Sequence, residues 1–497
     1  MTSEQGHKRV LVGGSWLIGA RVMDRLIGII SISILARLLK PPDFGLVAVA
    51  STVVAGVELL SAFGFDWALV RHREPSVDDL NSAWTLRILF GVLTFVVLTL
   101  LGPLAASFYH QTALRPVLMA MGAASFVGSL ENIGTVFFRR EFAFHKEFLI
   151  RSAAKLAGFL VTVSIAFAYR SFWALVVGVI CVRCVTVAAS YLFHPYRPFF
   201  SLANARALFG FSTWLLLGNI IEYCREKFAD LYIGRVFGPS ANGLFAVAGE
   251  ISIVPITEIA SPINRAAYSK YTEDVRNGRD LGSSYVSIAA LIWLISLPMA
   301  AGTVAVAPEV IELLLGPQWH AAEPVLRWLA VGTAFTVMAA NTHYVYWALG
   351  HTRVVAALSL AGTVIIVPVT VVCARFAGYT GVAFAFAISS ALILPINFMI
   401  LRRLAGIKFS DLWRRVWRIA FSAIAMAAIL WLSFKQPDTE GIGVAAEMLV
   451  VKVAAGFAIY TALVGLTWLA CGRPAGPERA TMEILETVLK KVSKKAS

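Results

Sequence analysis

Residues 16–50 read WLIGARVMDRLIGIISISILARLLKPPDFGLVAVA, and 198 positions further on residues 214–248 read WLLLGNIIEYCREKFADLYIGRVFGPSANGLFAVA. Aligned without a gap, the two stretches share 9 identities in 35 positions. Trp16-Leu17 falls on Trp214-Leu215, Arg37 on Arg235, Pro41 on Pro239, Gly45-Leu46 on Gly243-Leu244, and Ala48 to Ala50 on Ala246 to Ala248. Chance would give roughly three or four matches, so self-similarity at one fixed offset points to duplication. Each copy holds an apolar run, a Pro-containing break and the start of a second run, so each opens on a pair of helices.

Working outward, 58% of the 497 residues are hydrophobic and 14% charged, with mean hydropathy +0.75, whereas a soluble domain carries about 25% charged residues. Crossing the hydrocarbon takes about 20 apolar residues in a helix. Such runs occur near 12–38, 44–66, 82–108, 114–137, 148–169, 171–193, 206–237, 242–263, 283–306, 325–348, 352–374, 379–401, 414–433 and 443–471. The expected fold is therefore all-α, a polytopic membrane protein with about fourteen transmembrane helices. The repeat divides it into an N-terminal six-helix bundle over 1–195 and a C-terminal one over 196–405. Two additional helices over 406–472 and a basic tail over 473–497 follow, neither with a counterpart in the repeat. Six is an even number, so both copies enter the membrane from the same side, and a pseudo-twofold axis along the membrane normal relates them.

The net charge of +14 is a matter of topology. About 25 Lys and Arg fall in the connections on the N-terminal side, among them Arg139, Arg140, Arg276, Arg279, Arg402 and Arg403, against about six on the other. By the positive-inside rule both termini are cytoplasmic, and nucleic acid is not needed as a partner. In the tail, Met482, Leu485, Val488, Leu489 and Val492 form a helical stripe ending in Lys490, Lys491, Lys494 and Lys495. It reads as a helix on the cytoplasmic leaflet or as a frayed basic terminus.

An ionisable side chain inside a span costs about 2.5 to 3.5 kcal/mol on insertion scales, so it faces a cavity or a partner. Span 1 carries Arg21, Asp24 and Arg25 at i, i+3 and i+4, on one face. Span 7 carries Glu222, Arg225, Glu226 and Asp230, with Lys227 beside them. The repeat sets Asp24 on Glu222, so both opening helices bear charge at equivalent depth. If both faces turn to the axis, they line one central cavity. Arg21, Arg25, Arg225 and Lys227 could then hold a diphosphate, because guanidinium offers phosphate a bidentate fork. Alternatively, Asp24 neutralises Arg21 and Arg25, while Glu222, Glu226 and Asp230 neutralise Arg225 and Lys227, and the pairs hold a wet crevice open. Glu58, Asp66, Arg87, Glu131, Lys155, Arg183, Glu250 and Glu258 also lie in or near spans. Asn341, Thr342, His343, Tyr344, Tyr346 and Trp347 make a polar and aromatic patch in span 10, suited to stacking on sugar rings or to an interfacial belt. Pro255, Pro298, Pro368 and Pro395 are hinge candidates or packing kinks.

Several signals fail. There is no phosphate loop of the Gly-x-x-x-x-Gly-Lys-[Ser/Thr] type. Asp43-Phe44-Gly45 spells a kinase tripeptide but lies between two spans without its companion loops. Cys181 and Cys184 have metal-ligand spacing, yet stand without a second pair and read as packing residues, so no metal or other cofactor is expected. The longest connections, roughly 20 residues, leave no room for a soluble catalytic domain of the usual size. The chain is expected not to be an enzyme.

Ile34 to Leu46, followed by Gly64 to Val70, resembles the opening of bacterial polysaccharide transporters, and Asp230 to Gly238 with Gly243 to Ala248 is similar to their repeat. The family is the oligosaccharide flippase branch of the multidrug/oligosaccharidyl-lipid/polysaccharide exporter superfamily, in particular its colanic acid and succinoglycan transporters. The resemblance implies two six-helix bundles around a central cavity. It further implies translocation of undecaprenyl-diphosphate-linked oligosaccharide repeat units across the inner membrane, for exopolysaccharide or lipopolysaccharide biosynthesis. Partners on this reading are the lipid-linked oligosaccharide, membrane lipids, and polysaccharide polymerase and export proteins. It assigns cavity cations to Arg21, Arg25, Arg225 and Lys227 by position, and a structural turn to Arg37, Pro41, Asp43, Phe44 and Gly45. The substrate-binding set is then Arg21, Asp24, Arg25, Glu222, Arg225, Lys227, Asp230, Asn341 and His343. The rival is a cation-coupled multidrug antiporter of the same superfamily, with Asp24 or Glu222 as its titrating carboxylate. A membrane glycosyltransferase or polymerase would need a catalytic carboxylate beside a large loop.

Overall fold

The computed structural model describes residues 3–61, 76–140, 143–205, 213–434, 441–474 and 476–478. Among these, every regular element is helical. Nine helices among the described residues are long and apolar enough to cross a membrane. The first helix of each repeat is not one of the nine, because its charges interrupt its apolarity. The chain divides into two compact units, Met1–Gly243 and Leu244–Ser497.

The first unit contains α1 (Ser3–Leu38), α2 (Pro41–Ser61), α3 (Val77–Tyr109), α4 (Leu114–Ser129), α5 (Val136–Arg140), α6 (Phe144–Tyr169), α7 (Trp173–Phe193), α8 (Thr213–Val236) and the first turn of α9 (Gly238–Arg276). α8 opens the second repeat, yet it belongs to the first unit because it packs along α2. Leu46, Val49, Leu98, Leu114, Leu118 and Val176 form an apolar core shared by α2, α3, α4 and α7.

The repeat is visible at residue level. A Cβ built on Gly45 would fall onto the carbonyl oxygen of Pro239, and one on Gly243 onto that of Pro41. Equivalent residues of the two copies thus meet reciprocally, each backbone occupying the space a side chain would need. The amide of Asn242 donates to the Gly45 carbonyl at 3.3 Å, joining the same two helix starts. Asp43 accepts from the Lys40 backbone N–H at 2.9 Å, satisfying an amide that α2 leaves open at its N-terminus. The kinase-like tripeptide is therefore a cap followed by a close-packing glycine. The matching run 64–70 lies outside the described residues.

The expected continuous span over 114–137 is corrected. α4 stops at Ser129, and a 3₁₀ turn at Ile133–Thr135 follows. Asn132 breaks the run: its side chain accepts from the Gly134 N–H at 2.9 Å and donates to the Tyr196 carbonyl at 2.7 Å. An Asx turn of this kind competes with helix continuation. The linker after α7 lies against α3, where the Tyr196 hydroxyl donates to Asn81 at 2.6 Å and the Asn204 amide to Asp79 at 2.7 Å. Burial, reinforced by the negative charge of Asp78, pushes the Tyr196 phenol up, so it stays protonated and donates.

The second unit contains the rest of α9, then α10 (Leu281–Ala305), α11 (Ala307–Leu314), α12 (Glu323–Ala348), α13 (Thr352–Ala405), α14 (Phe409–Ser433) and α15 (Ile442–Ala470). α13 is two helical arms divided at Ala377 and Gly378. Gly378, at φ 62° and ψ −148°, occupies a region open essentially to glycine, which accounts for the very short link expected there. The segment 307–324, left between two expected spans, holds α11 and a 3₁₀ turn over Pro317–Ala322. α9 continues to Arg276, well beyond the expected end at 263, through Pro255 and Pro262. The tail beyond Glu478 lies outside the described residues.

Candidate functional site

The charged residues of the first unit are drawn together by helix packing. α1 lies on α6, where Lys155 reaches back to Asp24. Its ammonium donates to the Asp24 backbone carbonyl at 2.6 Å and sits 3.3 Å from the carboxylate. The partner of Asp24 thus includes a cation of another helix, beyond the intrahelical pairing with Arg21 and Arg25 weighed from the sequence. α1 carries Arg21 exposed and Arg25 half-buried on the same face.

Two further links follow the same logic. Glu58 of α2 accepts from Ser125 of α4 at 2.7 Å and from Arg183 of α7 at 3.2 Å. Arg87 of α3 pairs with Glu131 at 2.8 Å, just past α4. On α8, Arg225 pairs with Glu222, and Lys227 lies 3.3 Å from Asp230. These pairings within α8 are those of the alternative weighed from the sequence, in which its carboxylates neutralise its cations. The Tyr223 hydroxyl donates to the Thr52 carbonyl and ties this helix to α2. Across α1, α2, α3, α6, α7 and α8, the described ion pairs join different segments at Lys155–Asp24, Arg183–Glu58 and Arg87–Glu131 and lie within one helix at Arg151–Glu147, Arg225–Glu222 and Lys227–Asp230, while Lys146 and Arg235 lie over the rings of Phe138 and Phe108. Such pairing offsets the cost of carrying charge into the bundle. It also leaves cations that an incoming anion with more oxygens can take over.

Asn341 and His343 belong to the second unit. Asn341 is buried, donating to Asn264 at 2.7 Å and accepting from Tyr271 at 3.1 Å. Next to it Thr342 donates to Asn397 at 2.9 Å, and Tyr346 donates to the Asn397 carbonyl at 2.7 Å. These polar groups cross-link α9, α12 and α13. His343 is half-buried. Tyr344 and Trp347 are edge to face at 5.1 Å, and Tyr268 of α9 joins them at 6.3 Å.

Two pairs escaped the sequence reading. Lys452 of α15 and Glu309 of α11 form an ion pair with side chains only 3% and 1% exposed. Arg418 of α14 and Glu478 pair at 2.9 Å, 3% and 4% exposed. Lys452 shares its otherwise apolar run with Glu447, a legible signal; Glu309 lay in a connection and Glu478 in the expected tail.

A family model described as polysaccharide biosynthesis protein matches residues 34–324, more than half of the chain. The chain belongs to that family. Among its relatives it is similar to the lipopolysaccharide biosynthesis protein WzxC of Escherichia coli (strain K12), 24% identical over 388 residues covering 76% of this chain and 78% of WzxC. It is also similar to the succinoglycan biosynthesis transport protein ExoT of Rhizobium meliloti (strain 1021), 23% identical over 342 residues covering 67% of each. The fold resembles that of the lipid II flippase MurJ in an inward closed conformation. The TM-score is 0.74 at 11% identity, over 93% of this chain and 99% of MurJ. Family and fold together make this a multi-pass membrane protein of the polysaccharide biosynthesis family.

Proposed function

We propose that this protein flips diphosphate-linked oligosaccharide repeat units from the cytoplasmic to the periplasmic leaflet of the inner membrane, for exopolysaccharide or lipopolysaccharide assembly. The observation that carries the reading is the set of carboxylate-tethered cations in the first unit of a polysaccharide biosynthesis family member. Lys155, Arg183, Arg87 and Arg225 are held in place by Asp24, Glu58, Glu131 and Glu222. A diphosphate entering the bundle competes for these cations and displaces carboxylates. The diphosphate thereby enters with its charge compensated, and the displaced carboxylates turn to water in the polar interior. Arg21 and Arg25 extend the cationic face toward the substrate. The saccharide travels in the polar interior, while the polyprenyl chain stays in lipid. Alternating access comes from rocking one repeat against the other. Both termini lie in the cytoplasm on this reading, in line with the Lys/Arg asymmetry. Polymerase and export proteins are proposed to receive the product.

The test uses a deletion strain complemented with wild type or with Arg183→Glu. Deletion should make diphosphate-linked oligosaccharide accumulate on the cytoplasmic side and abolish the surface polymer. Wild type should restore the polymer and R183E should not. Unchanged polysaccharide together with altered sensitivity to cationic drugs would overturn the reading in favour of an antiporter.

A further inference from the structure

Where α13 turns into α14, the second unit holds a cavity of about 560 Å³, within the roughly 300 to 1,000 Å³ of typical small-ligand pockets. Trp293, Leu394, Phe398, Met399 and Phe409 line it. Phe398 and Phe409 meet edge to face at 4.9 Å, and Trp413 stacks on Phe409 at 5.9 Å, so the aromatic wall is braced from behind. Met399 and Phe409 are themselves partly open to the surroundings, which makes the cavity a crevice reaching the protein surface.

Two cations also line it, Arg402 and Lys408. Arg402 stands one helical turn beyond Phe398, and Lys408 directly precedes Phe409. Gly406, at φ 68°, caps α13 in the left-handed conformation and reverses the chain. That turn brings the end of one helix and the start of the next, each with its cation, to the same cavity. Both cations are exposed. The Lys/Arg asymmetry sets this turn on the cytoplasmic side, where the leaflet is rich in anionic lipid.

We propose that this crevice binds one anionic glycerophospholipid of the cytoplasmic leaflet. The phosphate lies between Arg402 and Lys408, and an acyl chain runs along Phe398, Met399 and Trp293. A purely apolar ligand would leave the two cations unused, and a free anion would leave the apolar wall bare. The combination fits an amphiphile with a negative head. The occupant is a resident lipid, distinct from the transported substrate, so the inference stands or falls separately from the flippase reading.

The test is native mass spectrometry of the detergent-purified full chain, titrated with dioleoyl phosphatidylglycerol or dioleoyl phosphatidylcholine. Wild type should retain phosphatidylglycerol over phosphatidylcholine. R402E/K408E should weaken phosphatidylglycerol retention on the order of tenfold, since each surface cation contributes roughly a few-fold. Met399→Trp, which fills the crevice, should weaken retention of either lipid. R403E/R414E reverses two neighbouring cations that do not line the crevice and should retain phosphatidylglycerol as wild type does. If R402E/K408E does not purify as a monodisperse protein, R402Q/K408Q serves in its place. Equal retention of the two lipids by wild type would overturn the proposal, as would unchanged retention by R402E/K408E or an equal loss in R403E/R414E. Displacement of phosphatidylglycerol from the crevice by a lipid-linked diphosphate would also overturn it, assigning the crevice to substrate.

Discussion

Removing the Lys452 ammonium should be among the costliest single changes in the second unit. Its partner Glu309 is 1% exposed, and among the described residues the second carboxylate oxygen of Glu309 has no hydrogen-bond partner. Lys452 lies ten residues into α15, about 15 Å along its axis at 1.5 Å per residue, so the site is far from the helix end. In Lys452→Met the Glu309 carboxylate is left buried without its partner, and a buried ion pair that loses one member costs roughly 3 to 5 kcal/mol. Thermal unfolding in detergent, followed by tryptophan fluorescence, should show a fall of roughly 7–15 °C. The double replacement K452M/E309M removes both charges and keeps the volume, so it should return near wild type. If K452M melts within 2 °C of wild type, or if the double variant is no better than the single, the pair is not the anchor of α15 and the argument fails.

Other outcomes are equally specific. Arg25→Glu and Arg225→Glu should each abolish restoration of surface polysaccharide while membrane levels, read by immunoblot, stay at wild type; normal transport in both would sink the diphosphate-cradle reading. Glu58→Gln frees Arg183 of its tether and should lower transport in a lipid-flipping assay about tenfold, with the exchange E58R/R183E recovering part of it. Gly45→Ala and Gly243→Ala put a methyl group onto an opposing backbone carbonyl. Each should lower stability by about 1–3 kcal/mol or more, and their melting temperatures should fall by similar amounts because the two positions are reciprocal. Asn341→Ala leaves Asn264 and Tyr271 without their partner and should lower stability by about 1–3 kcal/mol; transport lost with the melting temperature unchanged would show that Asn341 meets substrate instead.

Much of this molecule was legible in its residues because membrane constraints act locally. A run of about 20 apolar residues needs no partner to declare itself a helix. The duplication was equally plain, since Pro41, Gly45, Pro239 and Gly243 keep their identities for a steric reason that each copy shares. The turn role of Asp43 was implied by the family resemblance. Asn132, by contrast, hides a break within an apolar stretch, because an Asx turn depends on where the Tyr196 and Ser190 partners fall.

Ion pairing was the part that tertiary structure alone could decide. Spacing along one helix showed that Arg21, Asp24 and Arg25 share a face, and that Glu222 and Arg225 can pair. It carried no information that Lys155, 131 residues away, would reach Asp24, or that Arg183 would meet Glu58 across 125 residues. It likewise carried no information that the Asn341 amide would donate to Asn264, 77 residues away. Apolar burial is non-directional and is written in local composition, whereas a salt bridge or hydrogen bond needs two specific atoms within about 3 Å, and only the packed helices bring those atoms together.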